Sequence, residues 1–336
     1  MRRALAVVAL AGAVAVPQAA RASVAPHAVF GLRAGGNPKL GYFVYPLAPG
    51  ATQQGSVIVS NVGTRTGIVR LFAADATTGP TSGTVYRTSH APSGAGTWVH
   101  LAQTQVTLAP GEHATVPFTV QVPSSAPPGQ WVAGIAAESP QTSTTRTAGE
   151  KSSVRIRVRS LTIVAVQVNV PGATRQGFRI GSVHAGGSRG YQQVIVGFAD
   201  TGNVLSRPKG TVTVAKADGS HRQLLRYTMD TFLPQTAIAY PLLLRTALPA
   251  GTYFADILLR ARPLDGGSWI VVRARRRFTI SSKQVEKVFT TAAPTKTSSS
   301  GSTSTALVAA AGGAIGALAI VGGVALLLRR RRPRTS

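Results

Sequence analysis

No cysteine occurs anywhere in the 336 residues of the chain. Disulfide bracing, thiol nucleophiles, cysteine zinc sites and iron–sulfur clusters are thereby excluded. Whatever folds must be held by burial of apolar surface alone, which is feasible for domains of more than about a hundred residues. Acidic residues are also scarce, 10 Asp and Glu against 36 Lys and Arg, for a formal net charge of +26. A glycosidase-type carboxylate pair has few positions to draw on, although its members need not be neighbours in sequence. His27, His90, His100, His113, His184 and His221 form no HExxH motif, and no two stand at metal-ligand spacing. The run "HAGGSRG" at His184–Gly190 lacks the GxGxxG and GK[ST] patterns of dinucleotide and phosphate loops. No catalytic residue, metal or cofactor is assigned.

What the chain does have begins at its ends. Met1-Arg2-Arg3, the apolar run Ala4–Val16 and the Ala20-x-Ala22 pair predict a signal peptide over 1–22, cleaved after Ala22. Ala306–Leu328 is 23 residues without a charge, about 35 Å of helix against a hydrocarbon core of about 30 Å. Arg329, Arg330, Arg331 and Arg332 follow at once in a basic tail, 329–336, which the positive-inside rule places in the cytoplasm. These features predict a single-pass type I protein of the cell membrane with the bulk of the chain extracytoplasmic. Ahead of the span, residues 286–305 predict a flexible stalk; its stretch "TTAAPTKTSSSGSTST" holds 11 Ser or Thr in 16 positions.

Between the ends, short apolar runs are punctuated by Pro and Gly and show almost no helical period. "GSVIVSN", "GIVRLFAA", "TVPFTVQV", "SVRIRVR", "QVIVGFAD", "GTVTVAKADGS" and "YFADILLR" have the alternation of half-buried strands. Asp218-Gly219 is a hairpin-turn signal. The spacing predicts an all-β chain of two immunoglobulin-like β-sandwiches, 36–170 and 171–285. An internal repeat supports the count. Pro110 and Pro117 are seven apart, as are Pro234 and Pro241, and each pair leads to a glycine, Gly129 or Gly251. An aromatic follows two residues later (Trp131, Tyr253) and an isoleucine six later (Ile135, Ile257). Trp131, Ala133 and Ile135 share one strand face, as do Tyr253, Ala255 and Ile257, so both faces should enter cores.

The charge is uneven. Residues 23–170 carry 10 basic and 4 acidic side chains, whereas 171–305 carry 18 and 6. Arg155, Arg157 and Arg159 alternate along one run, and Arg273, Arg275 and Arg277 along another, with Arg276 opposite. Such rows are solvated outer faces that discourage edge-to-edge pairing, or candidate polyanion-binding residues. The summed positive field would concentrate anionic polymers. Nucleic acid is not the expected partner, because basic segments interleaved with aromatics are missing.

"YFVYPLAPGATQQGSVIVSNVG", "DATTGPTSGTVY", "GTWVHLAQTQVTLAPGEHATVPFTVQVP" and "PPGQWVAGIAAE", together with the layout, resemble the peptidoglycan-binding domain of WxL-interacting proteins, surface proteins of Gram-positive bacteria. The resemblance covers about 41–158. It departs where the family has Gly-Gly-Ile and this chain has Ala133-Gly134-Ile135. It implies a non-enzymatic cell-envelope protein binding peptidoglycan or an anionic wall polymer. The alternatives are a protein-interaction scaffold holding another exported surface protein and a carbohydrate-active hydrolase.

Overall fold

Strands that bury one face need apolar residues at every second position, and this chain supplies them in runs of about five to ten. A computed structural model of the chain describes residues 27–36, 41–88, 91–139, 143–149, 152–158 and 160–290. The leader at 1–22 with Ala22, the span at 306–328 and the arginines Arg329 to Arg332 lie outside the described residues. Among those described, no helix is long and apolar enough to cross a membrane.

The first half comprises β1 (Phe30–Ala34), β2 (Phe43–Pro46), β3 (Thr52–Asn61), β4 (Gly67–Thr78), β5 (Thr84–Tyr86), β6 (Val99–Leu101), β7 (Gln105–Leu108), β8 (His113–Gln121), β9 (Gly129–Glu138), β10 (Ser143–Gly149), β11 (Ser152–Val158) and β12 (Leu161–Val170). One sheet has the order β1-β3-β8-β6, and the other β2-β12-β9-β4-β5 with β7 also on β4. Between them lies a core containing Val57, Val59, Leu71, Val116, Phe118, Ile135 and Val166. The Ser- and Thr-rich segment after β9 contributes β10, which pairs with β11 in a separate two-stranded hairpin. The strand that completes the larger sheet is β12, paired antiparallel with β9 and parallel with β2.

The second half comprises β13 (Phe178–Ser188), β14 (Tyr191–Asp200), β15 (Lys209–Ala215), β16 (Gln223–Thr228), β17 (Ala237–Leu243), β18 (Gly251–Ala261) and β19 (Ile270–Ile280), followed by α1 (Ser282–Thr290). Its sheets are β13-β14-β17 and β16-β15-β18-β19. They enclose a core of their own, including Val194, Val196, Phe198, Phe232, Tyr253, Ile257 and Leu259. The architecture is all-β and sandwich-like. α1 buries Val288, whose carbonyl accepts the Gly190 amide, and Gln284 donates from its side chain to the Ala185 carbonyl.

The repeat is a packing device. The Trp131 indole Nε1–H donates to the Pro127 carbonyl at 3.2 Å, and the Tyr253 hydroxyl donates to the Pro249 carbonyl at 2.9 Å. In both halves the aromatic reaches back four residues across a glycine at positive φ, 143° at Gly129 and 154° at Gly251. Ala133, Ile135, Ala255 and Ile257 are buried beside them. Trp131 is half-buried at the edge of its core, with the buried Trp98 ring 5.2 Å away.

Candidate functional site

Three hydrogen-bonded seams join the two sandwiches. The first is built on Asn203, in the loop after β14. Its Nδ2 donates to the carbonyls of Pro128 and Ala173, both at 2.9 Å, and its Oδ1 accepts the Arg175 amide at 2.6 Å. The Asn203 carbonyl accepts the Gln130 amide at 2.8 Å, and Gln130 Oε1 accepts the Leu205 amide at 2.6 Å. Both hydrogens of the asparagine's side-chain amide are used at one corner. The second seam is a hydroxyl pair, Thr78 and Thr236, 2.6 Å apart. Thr236 gives its proton to the Leu233 carbonyl at 2.7 Å, so Thr78 donates to Thr236 and accepts the Leu233 amide at 2.9 Å. In the third, Ser82 Oγ accepts the Asp230 amide at 2.8 Å, and the Gly83 amide donates to the Thr231 carbonyl at 3.0 Å. A groove of about 240 Å³ runs along this junction, lined in part by Arg87, Gln130, Trp131, Gln235 and Thr236.

Gly129 is required here. A Cβ on it would stand 2.6 Å from the Asn203 carbonyl oxygen, at a backbone conformation that side chains rarely adopt. Gly129→Ala is expected to destabilise the chain by about 2 kcal/mol and to split one cooperative thermal transition into two. Differential scanning calorimetry checks this; an unchanged single transition would show that the corner does not couple the cores.

Two buried carboxylates hold loops at this end of the molecule. Asp75, in β4, accepts the amides of Ser93 at 2.6 Å, Gly94 at 2.9 Å and Gly96 at 2.8 Å. Burial pushes its carboxyl up, but those donors outweigh burial and hold it below the usual carboxylate range. Asp200, the last residue of β14, has only the Gly202 amide at 2.7 Å and the Ser206 hydroxyl at 3.4 Å. Burial dominates there and pushes the carboxyl up to about 7. Both sit at strand positions, and the turns are hung on them.

The candidate arginines separate. Arg155 and Arg157 lie on β11, opposite Arg146 and Thr144 of the hairpin, and Arg159 falls outside the described residues. Arg273, Arg275 and Arg277 are exposed on one face of β19. Arg276 points the other way. Its Nε donates to the Gly181 carbonyl at 2.9 Å and its Nη2 to the Ile180 carbonyl at 2.8 Å. Those carbonyls lie where the β13 register shifts, between Ile180 and Val183, so Arg276 satisfies groups that the bulge leaves unpaired.

Among the described residues no group of three His, Asp or Glu could hold a metal ion. Gly186-Gly187-Ser188-Arg189-Gly190 has the spelling of a GxSxG elbow, missed in the sequence. Here it spans a two-residue β-hairpin turn, with Ser188 opposite Tyr191 and φ of 51° and 81° at Arg189 and Gly190. A nucleophile elbow needs a strand-to-helix turn. His100 and His113 are exposed on β6 and β8.

No family model matches the chain, and no curated protein matches it. Solved structures similar to it include bacterial pilus and fimbrial chaperones. One belongs to the chaperone–tip adhesin complex of CFA/I fimbriae, at 9% identity and TM-score 0.37, covering 74% of this chain and 98% of that one. Another is the E. coli chaperone DraB, at 12% identity and TM-score 0.30, covering 76% and 96%. A third is the CsuC–CsuE pre-assembly complex of Acinetobacter baumannii, at 9% identity and TM-score 0.34, covering 73% and 97%. Likeness at this level carries no argument about function. The resemblance to WxL-interacting proteins is corrected by the first of these results: no family model, of that family or any other, matches the chain. The physical reason is visible in the repeat. The Pro-Gly-aromatic segment quoted for the family recurs as Pro249, Gly251 and Tyr253 in the half that does not resemble it, so it is a way of closing a β-sandwich rather than a family mark. The expectation of peptidoglycan binding falls with it.

Proposed function

We propose that this chain is a non-enzymatic interaction scaffold: two immunoglobulin-like sandwiches, fixed to each other, that hold another exported protein by surface contact. The junction carries the reading. Each sandwich already has its own core, so neither needs the other in order to bury apolar surface. The chain nevertheless commits Asn203, Gln130, Thr78, Thr236 and Ser82 to bonds across the corner. A tether between independent modules would need none of them. A fixed corner turns two small surfaces into one continuous face, and a stable protein–protein contact needs about 800 Å² from each partner. The export reading rests on the cationic start and apolar run of residues 1–22.

Photo-crosslinking in intact cells tests the proposal, with the reactive residue at Arg87 in the junction groove or at Leu224 on the second sandwich. One dominant protein adduct is expected. Its absence from both positions would contradict the reading.

A further inference from the structure

One face of the second sandwich is more basic than solubility requires. The outer residues of the sheet β16-β15-β18-β19 follow from its register. Leu224, Thr213, Asp256 and Arg275 form one row across the strands. Arg226, Thr211, Leu258 and Arg273 form the next, and Thr228, Lys209, Arg260 and Val271 the one after. Arg277 stands opposite Phe254. Lys209, Arg226, Arg260, Arg273, Arg275 and Arg277 are all exposed, and Asp256 is the one acid on these strands. It stands 3.6 Å from Arg275, whose guanidinium also lies over the Phe254 ring at 4.7 Å. Beyond the end of β18, Trp269 carries Lys209 at 4.7 Å and Arg262 at 5.0 Å from its ring. A shallow groove of about 480 Å³ lies between Thr211, Asp256, Leu258, Arg273 and Arg275.

We infer that this face docks an extended, acidic segment of a partner protein, an inference that rests on the scaffold reading. Charge complementarity sets the sign. Spacing and composition set the class. Alternate side chains on a strand are about 6.8 Å apart, so Arg273, Arg275 and Arg277 match alternate carboxylates of a second extended chain laid along β19. Apolar positions stand among the cations: Val271 and Leu224 are 43% and 38% exposed, and Leu258 and Phe254 are partly covered. A polypeptide brings apolar side chains to those positions, and a bare phosphate polymer does not. Arginine suits the role because its planar fork pairs with carboxylates in two parallel hydrogen bonds. The Asp256–Arg275 contact shows a carboxylate already accepted on this face.

The test uses the full chain and a fluorescent poly(Glu-Thr) peptide, in which carboxylates alternate, with poly(Lys-Thr) and linear polyphosphate as comparison probes. Saturable binding of poly(Glu-Thr) that weakens with salt is expected. The triple reversal Arg273→Glu, Arg275→Glu, Arg277→Glu should weaken it roughly tenfold or more. The same reversal at the exposed Arg33, Arg65 and Arg70 of the first sandwich should change it less than about twofold, since long-range charge is screened beyond about 10 Å. Equal loss from both triple variants, or tighter binding of polyphosphate than of the peptide, would overturn the inference. The triple variant is also carried into the crosslinking experiment at Leu224. Loss of the adduct is expected. An adduct that survives overturns the docking face and leaves the scaffold intact, whereas no adduct from the unaltered chain at either position counts against the scaffold itself.

Discussion

Tyr253→Ala should lower the unfolding free energy by about 3–5 kcal/mol, a large part of what holds a domain of this size together. The side chain is 0% exposed. Its ring packs against Phe278, with centroids 5.9 Å apart, and its hydroxyl anchors the Pro249 carbonyl. Truncation leaves a cavity the size of a ring in a cysteine-free core, and nothing covalent limits the consequence. Tyr253→Phe separates the contributions, because it keeps the ring and removes only a hydrogen bond worth about 1 kcal/mol. Urea unfolding of both variants checks the pair. Equal losses would mean that the hydroxyl, not the burial, holds this strand.

Asp200→Asn should stabilise the protein at pH 8 by a few kcal/mol, on the order of 1.4 kcal/mol for each unit by which the carboxyl is raised. The sign follows from proton binding. In the unfolded chain Asp200 loses its proton near pH 4, but in the fold it keeps it up to about 7. Between those values the folded state binds the extra proton. This contribution is therefore fully present below about pH 4, falls as pH rises through 7, and stays lost above that. Asparagine imitates the protonated carboxyl at every pH, and its side-chain oxygen can still accept the Gly202 amide. Thermal melts from pH 4 to pH 8 should show a falling midpoint for the unaltered chain and a flatter one for the variant. Parallel profiles would show that Asp200 is ionised and paired in the fold. Asp75 works in the opposite direction: its carboxyl is held low, so its support is present above about pH 4 and is lost as the solution is acidified further.

The strands were the most legible part of the chain. "QVIVGFAD" reads as alternating, and Val194, Val196 and Phe198 are buried while their neighbours are not. Asp218-Gly219 marks a turn, and Gly219 takes φ of 82° between β15 and β16. The opposed directions of Arg275 and Arg276 also follow from the two-residue period alone. The junction could not be read in this way. Thr78 meets Thr236 across 158 positions and Asn203 meets Pro128 across 75, and neither pairing leaves a local mark. The raised carboxyl at Asp200 escaped for the same reason, since "FADTGN" has the composition of any surface turn and its burial comes from packing at the corner. The β11 strand was legible in "SVRIRVR", but its partner β10 was missed because Ser, Thr and Gly dominate there and have loop composition, although the cross-strand pairing is regular.

A rigid corner is the claim from which the rest follows, and the absence of cysteine makes it directly measurable, because spin labels can be introduced without removing native thiols. Thr115 on β8 and Leu224 on β16 are exposed and lie away from the seams. Double electron–electron resonance between labels at these two positions should give one narrow distance distribution in solution, which Gly129→Ala broadens. A broad distribution in the unaltered chain would mean that the sandwiches turn freely about one another, and the scaffold account would be wrong.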